Sequence, residues 1–107
     1  MIDCEFNSQK KFLTCRFRGR MDGAASREAE EAIGKKIEVV VSGGTAIEDL
    51  MIDFDLAGVD YVSSGFLRIC LATAKKTSAG KFGIVNTSPF VRKIFKTSGL
   101  ERVLNVR

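Results

Sequence analysis

The spacing of apolar residues switches repeatedly between a two-residue and a four-residue repeat, and this alternation restricts the possible folds more than any other feature. Apolar and polar residues alternate over residues 2–6 and again over 13–17, which is typical of two strands. The polar stretch 7–11 between them has the composition of a turn, and Gly19 marks the predicted end of the second strand. We therefore expect the chain to open with a β-hairpin.

Beyond residue 20 the repeat lengthens to four residues. The apolar residues of this segment form one stripe: Met21, Ala25, Ala29, Ile33, Ile37, Val40 and Val41. Charged residues occupy the opposite side, so the pattern predicts an amphipathic helix. Asp22 stands at the N-cap position of this helix. The break in the pattern over residues 42–49 predicts a loop.

The second half of the chain continues the alternation. Residues 50–54 form a nearly continuous apolar run, which predicts a strand covered on both faces. A helix-like segment begins near Ser64 and ends before Gly80. Its apolar side chains are expected to point inward at Leu67, Cys70, Leu71 and Ala74.

The last part of the chain predicts a strand, a helix and a final short strand. Residues 81–86 have the composition of a strand, and residues 102–106 that of a short terminal one. Between them, Ser88 is the predicted N-cap of a third helix, with Pro89 as its first residue and Gly99 just past its end.

The resulting order, β-β-α-β-α-β-α-β, predicts an α/β fold with a mixed sheet of four to five strands and helices packed against it. The alternating part implies parallel strands joined by right-handed crossovers, and the hairpin adds an antiparallel strand. A chain of 107 residues suits one core, so we expect a single domain over residues 1–107.

The residue types present disfavour most enzymes. The chain has no histidine, its three cysteines lack a C-x-x-C spacing, and neither common phosphate-binding glycine loop occurs. We therefore expect no catalytic residue, no cofactor and no metal site, and we interpret the cysteines as buried thiols. Asp53, Asp55 and Asp60 are close in sequence, with Asp60 placed past a turn. They suit a cation, although such residues more often solvate a strand end and cap turns.

Positive charge is spread along the chain in short groups. The net charge is +4, but no dense basic run with interleaved aromatic residues occurs, so we expect no nucleic-acid partner. A mildly basic surface fits an acidic protein partner equally well. The N-terminal residues lack a signal-peptide pattern and no apolar stretch reaches the length of a membrane span. We expect a cytoplasmic protein without membrane contact, as a monomer or weak dimer.

Two serines, Ser63 and Ser64, stand where the strand beginning at residue 50 gives way to the second helix. Serine is a good N-cap residue, which explains one hydroxyl at this point. A helix N-terminus also accommodates a phosphate, because it offers unpaired N–H groups and a partial positive charge. Residue chemistry alone therefore leaves both a structural cap and a phosphorylation switch open.

The stretch from residue 52 to 76, IDFDLAGVDYVSSGFLRICLATAKK, resembles the signature of the STAS domain, the sulfate-transporter and anti-sigma-factor-antagonist family. Two further stretches resemble the family in the same order: FRGRMDGAAS, from residue 17, and GIVNTSPFVRKIFKTSGLERVLNV, from residue 83. The resemblance spans the full length. A compact chain of this size is more similar to the bacterial anti-sigma factor antagonists than to transporter tails.

The resemblance implies a role for individual residues. In the antagonists, the serine at the position of Ser64 accepts phosphate from a partner kinase, while Ser63 stands where Asp is frequent and is the less favoured phosphorylation site. Gly65 takes a small position, and Phe66 departs from the usual Gly. A large ring beside the phosphoacceptor is expected to narrow kinase access or alter partner choice. The remaining partner-binding residues implied for the rim are Asp22, Asp55, Asp60 and Asn86.

The resemblance also implies a mechanism, called partner switching. The unphosphorylated chain binds an anti-sigma factor of the GHKL serine-kinase type and frees a sigma factor. Phosphorylation at Ser64 then reverses this, and a PP2C-type phosphatase is a further expected partner. The alternative is a STAS scaffold that never switches, such as a subunit of a transporter or signalling assembly, which the departure at Phe66 favours.

Overall fold

The computed structural model describes residues 2–107 and contains four strands and three α-helices. In chain order these are β1 (Ile2–Asn7), β2 (Phe12–Met21), α1 (Gly23–Ser42), a 3-10 turn (Ile47–Asp49), β3 (Met51–Val62), α2 (Ser64–Lys76), β4 (Phe82–Val85) and α3 (Pro89–Thr97). The sheet order is β1-β2-β3-β4. Strands β1 and β2 are antiparallel, whereas β2, β3 and β4 are parallel. The predicted mixed sheet is therefore confirmed.

A single core lies between the helices and one face of the sheet. Alternate residues of the strands are buried on that face, while their neighbours are exposed or half-buried. The principal buried side chains are Leu13, Cys15, Phe17, Ile33, Ile37, Ile52, Phe54, Leu56, Phe66, Ile69, Ile84, Val91 and Phe95. Because all three helices contribute to this core, each of them fixes the position of the strand end beside it.

Four phenylalanine rings form the centre of the core. Phe54 of β3 contacts the rings of Phe17 at 4.9 Å and Phe82 at 5.0 Å between centroids, both in edge-to-face arrangements. Phe66, from the first turn of α2, packs edge-to-face on Phe17 at 5.2 Å. These rings join β2, β3, β4 and α2 in one cluster.

The predicted helix N-caps Asp22 and Ser88 are confirmed, and of the two serines at the start of α2 the cap is Ser63. The side chains of Asp22, Ser63 and Ser88 each accept a hydrogen bond from the backbone N–H three residues further on. In α2 the buried side is wider than the sequence predicted. Besides Cys70, its fully buried residues are Phe66, Ile69 and Thr73, while Leu67, Leu71 and Ala74 are half-buried against the core.

Strands β2 and β3 are longer than the sequence predicted. β3 continues to Val62 instead of ending at residue 54, and β2 continues past Gly19, which has a φ of 91°. β3 carries extra residues at two register shifts against β2, so it pairs to its end despite its irregular pattern. The predicted burial on both faces of residues 50–54 is also wrong, because Met51 is exposed and Asp53 only half-buried.

The predicted terminal strand shortens to a single parallel bridge between Ile84 and Val106. Residues 101–105 form turns instead, held by backbone bonds such as Leu104 N–H to the Leu100 oxygen at 3.0 Å. Asn105 has a positive φ of 52°, which is incompatible with a regular strand. Among residues 2–107, no helix has both the length and the apolar composition that crossing a bilayer requires.

Gly58, at the first register shift of β3, permits a close approach to β2. A Cβ atom there would lie 2.7 Å from Arg18 Cγ and 3.2 Å from the Phe17 carbonyl oxygen. We expect Gly58→Ala to lower the free energy of unfolding by about 1–3 kcal/mol, since the strands must separate to admit the methyl group. Urea denaturation measures this change. Gly34→Ala is the control, because nothing lies within 4 Å of its Cβ in α1, and it should stabilise by about 0.5–1 kcal/mol.

Phe66→Ala tests the aromatic cluster. Removing a ring that is 0% exposed leaves a cavity, so we expect the free energy of unfolding to fall by about 3–5 kcal/mol. Phe90, which is 59% exposed on α3, provides a matched phenylalanine control, and Phe90→Ala should change stability by less than about 0.5 kcal/mol. Equal denaturation midpoints for the two variants would show that the cluster does not hold the fold.

Candidate functional site

The candidate site is formed where β2 and β3 end side by side. Met21 and Val62 are the last paired residues of the two strands, and the N–H of Ser63 donates to the Met21 carbonyl oxygen at 2.9 Å. Helices α1 and α2 begin immediately after these strand ends. The N-termini of two helices therefore lie next to each other at one edge of the sheet.

A pair of serine hydroxyls joins the two helix starts. The hydroxyl oxygens of Ser26 in α1 and Ser63 lie 3.3 Å apart and share a hydrogen bond. Ser26 is only 3% exposed, and Ser63 Oγ also accepts from the N–H of Phe66 at 3.3 Å. Ser26 was not among the predicted site residues, although its spacing from Ala29 and Ile33 matches the buried stripe of α1. Ser63 is thus a structural residue that caps α2 and contacts α1.

Ser64 has different surroundings. It is the exposed first residue of α2, and its hydroxyl makes no hydrogen bond within residues 2–107. The first turn of α2 contains no acidic residue. Its free N–H groups are therefore available to an anion at this end of the helix.

Gly65 lies where α2 approaches α1. A Cβ atom at this position would be 3.6 Å from Ser63 Oγ and 3.8 Å from Ser26 Cβ, which are ordinary van der Waals distances. A methyl group fits there, whereas a longer side chain would push the two helices apart. The small size expected at this position therefore has a packing reason.

The sequence predicted that the Phe66 ring lies on the surface beside Ser64. The structure buries it instead. Its ring is 0% exposed and packs on Phe17 and Phe54 in the core. The prediction that it narrows access to Ser64 or selects partners is wrong, because no part of the side chain reaches solvent. Phe66 instead anchors the first turn of α2 from below.

Asp22 belongs to this edge of the sheet. Its carboxylate accepts from the N–H of Ala25 at 2.9 Å and caps α1, while its carbonyl oxygen accepts from the N–H of Ser26 at 2.8 Å. Asp22 is exposed. It therefore lies one helical turn before Ser26 on α1, and its role in partner binding remains a prediction.

Asp60 is also exposed, but it lies within β3, and the predicted turn before it is replaced by strand. Next to Asp60, β2 and β3 carry a cation–π pair that was not predicted from the sequence. The guanidinium carbon of Arg20 lies 4.1 Å from the centre of the Tyr61 ring, across the β2–β3 ladder. This cation–π contact joins β2 and β3 near their carboxyl ends, two residues before Ser63.

Asp55 and Asn86 form a separate cluster. Asp55 Oδ1 accepts from the Asn86 side-chain amide at 3.2 Å and from the N–H of Ala57 at 3.0 Å. From Asp55, β3 runs to Val62 before reaching Ser63, a path on the order of 20 Å at about 3.3 Å per residue. The two residues are therefore not part of the rim of Ser64, and their role in partner binding remains a prediction.

The acidic residues of β3 do not converge. Asp53 lies 3.7 Å from Arg107, and its pKa is raised because burial disfavours the charged carboxylate more than Arg107 stabilises it. Within residues 2–107, no three metal-ligating side chains are grouped so as to hold an ion.

Substitution of each serine separates their roles. We expect Ser63→Ala to lower the free energy of unfolding by about 1 kcal/mol or more, because it removes the cap of α2 and leaves the Ser26 hydroxyl unpaired. Ser64→Ala should change stability by less than about 0.5 kcal/mol, since no hydrogen bond is lost. Thermal unfolding measures both. If Ser64→Ala is the more destabilising variant, the assignment of the cap to Ser63 is wrong.

Comparison with known proteins agrees with this architecture. The structure of an anti-sigma factor antagonist from Mycobacterium paratuberculosis superposes with a TM-score of 0.77 at 23% identity, covering 99% of this chain and 83% of that one. The antagonist SpoIIAA in its unphosphorylated form gives a TM-score of 0.75 at 21% identity, covering 100% and 88%. The phosphorylated form, from Bacillus, gives 0.63 at 18%, covering 100% and 91%.

No curated protein sequence matches the chain. The family model of the STAS domain, however, matches residues 4–107, which include every strand end and helix start described above. This chain therefore belongs to the STAS domain family.

Proposed function

We propose that this chain is an anti-sigma factor antagonist that acts by partner switching, with Ser64 as the phosphorylated residue. The proposal rests on the different surroundings of the two serines, Ser63 and Ser64. Ser63 caps α2 and contacts Ser26, whereas Ser64 is exposed and its hydroxyl has no hydrogen-bond partner among residues 2–107. A kinase can therefore modify Ser64 without removing a bond that the fold needs.

The position of Ser64 also suits the product of the reaction. Phosphorylation adds about −1.5 to −2 charges at neutral pH, and a helix N-terminus stabilises negative charge. Arg68, exposed one turn further along α2, is spaced to pair with the added phosphate. The phosphate changes the charge of the exposed surface next to Asp22 while the rigid core beneath stays as it is.

Charge repulsion is the physical basis for reversal. A partner that fits the neutral hydroxyl closely must meet two negative charges after phosphorylation, which costs several kcal/mol at a desolvated contact. Loss of about 4 kcal/mol converts a micromolar complex into one that is negligible at cellular concentrations. No catalytic residue is needed in this chain, because the partner kinase supplies the chemistry.

The two forms in which a similar protein has been solved support such a cycle. SpoIIAA is described both in an unphosphorylated and in a phosphorylated form, and both forms have the fold of this chain. For this chain we propose an anti-sigma factor of the GHKL serine-kinase type as the binding partner, which transfers phosphate from ATP to Ser64. A PP2C-type phosphatase then restores the unphosphorylated form, and the cycle takes place in the cytoplasm.

The alternative, a scaffold that never switches, depended on a large ring beside Ser64. Since Phe66 is buried in the core, that ring does not obstruct the serine. The scaffold alternative now differs from the switch in one measurable respect: its partner binding is indifferent to charge at position 64.

The proposal is tested by affinity capture from lysate of the native host with two baits, Ser64→Ala and Ser64→Asp. We expect the alanine bait to retain a protein with a GHKL kinase domain, identified by mass spectrometry, and the aspartate bait to bind it at least about tenfold more weakly. Ser8→Asp is the matched control, because it adds the same charge at an exposed serine in the turn between β1 and β2. This turn precedes β2, whereas Ser64 lies beyond the other end of that strand, so binding of the control should equal that of the wild type.

Two results would contradict the proposal, the first concerning the switch and the second the phosphorylated residue. Equal recovery of the kinase by both position-64 baits means that binding ignores the added charge. Phosphate incorporated from ATP at a residue other than Ser64, when the purified kinase and this chain are mixed, means that the site is misassigned.

A further inference from the structure

Two of the three cysteines face each other across the opening hairpin. Cys4 of β1 and Cys15 of β2 are directly opposed in the antiparallel ladder, and both side chains point to the core face. Their sulfur atoms lie 3.6 Å apart. The third cysteine, Cys70, is buried on α2.

The backbone at this pair already has the spacing of a disulfide. Directly opposed residues of antiparallel strands have Cα atoms about 4.5–5.5 Å apart. Disulfide-linked cysteines have Cα atoms about 4.4–6.8 Å apart, so a bond between the sulfurs requires side-chain rotation and little strand movement.

The two thiols differ in access and acidity. Cys4 is half-buried on the edge strand, whereas Cys15 is 0% exposed. The hydrogen bond between the two sulfurs lowers the pKa of Cys4, and the nearby Lys36 ammonium acts in the same direction against the effect of burial. The same contact and burial raise the pKa of Cys15, because a charged Cys4 sulfur and the apolar surroundings both disfavour loss of its proton. Cys4 is thus the thiol that a solvent oxidant meets, with a protonated thiol beside it.

We propose that Cys4 and Cys15 form a redox-modification site that closes to an intramolecular disulfide on exposure to a peroxide. The Cys4 thiolate attacks one oxygen of hydrogen peroxide, the O–O bond breaks, and hydroxide leaves, which produces a sulfenic acid on Cys4. The sulfur of Cys15 then attacks the Cys4 sulfur, the S–O bond breaks, and the Cys15 proton leaves with the hydroxyl group as water. The peroxide is reduced by two electrons, and the pair of thiols is oxidised by two.

The bond would fix the edge strand to the sheet. β1 pairs with one strand only, and the cross-link closes a short loop through the turn between β1 and β2. Constraining that loop in the unfolded chain stabilises the fold, so the oxidised protein should melt roughly 5–15 °C higher than the reduced one. This inference is independent of the proposed function at Ser64.

The experiment treats the reduced, purified chain with hydrogen peroxide, removes the oxidant, unfolds the protein and alkylates the remaining thiols. We expect the intact mass before alkylation to fall by two hydrogen atoms, and only Cys70 to be alkylated. Peptide mapping should show Cys4 linked to Cys15, and dithiothreitol should restore all three thiols. The Cys70→Ser variant is the control and should lose the same two hydrogen atoms.

Cys15→Ala and Cys4→Ala complete the test, so that a folding defect in one variant leaves the other informative. With Cys15→Ala, peroxide should add oxygen to Cys4 and produce no intramolecular disulfide. With Cys4→Ala, Cys15 should stay reduced, because it has no exposed partner. The proposal is overturned if the wild-type chain keeps all three thiols, forms only disulfide-linked dimers, or links Cys70.

Discussion

The contacts among Phe17, Phe54, Phe66 and Phe82 hold the sheet and α2 in one arrangement. They join three strands to the first turn of α2, with three of the ring pairs in edge-to-face arrangements that favour one orientation. Because Phe66 is two residues beyond Ser64, the core determines where α2 begins and which way its first residues point. The exposed serine is therefore held by a ring that no partner can reach.

The adjacent N-termini of α1 and α2 form the candidate site above the aromatic cluster. Hydrogen bonding between Ser26 and Ser63 ties α1 to α2, and the Ser63 N–H ties α2 to the end of β2. These bonds satisfy the polar groups that lie below the surface, while Ser64 and the carboxylate of Asp22 stay at the edge. A modification at Ser64 changes charge at a fixed point in space, which is what a switch based on repulsion requires.

The hairpin contains the thiol pair, and the N-termini of α1 and α2 contain the serine hydroxyls. The thiol pair lies in the antiparallel part, where an edge strand has a partner on one side only. Ser64 lies just past the carboxyl end of β3, which pairs with β2 as far as Val62 and with β4 over residues 52–55. The proposed bond between Cys4 and Cys15 would form within the antiparallel pair, so the two proposed modifications lie at different parts of the sheet.

Local sequence patterns predicted the first seven elements in their order and the caps Asp22 and Ser88, because periodicity and capping depend on neighbours in the chain. The tertiary structure was needed to place the end of β3 at Val62, since its irregular residues form a strand through pairing with β2. It also decided that Phe66 is buried, that Ser26 meets Ser63, that Asp55 and Asn86 lie apart from Ser64, and that Cys4 opposes Cys15. Each of these depends on which distant residues the sheet brings together, and local sequence patterns carry no record of that packing.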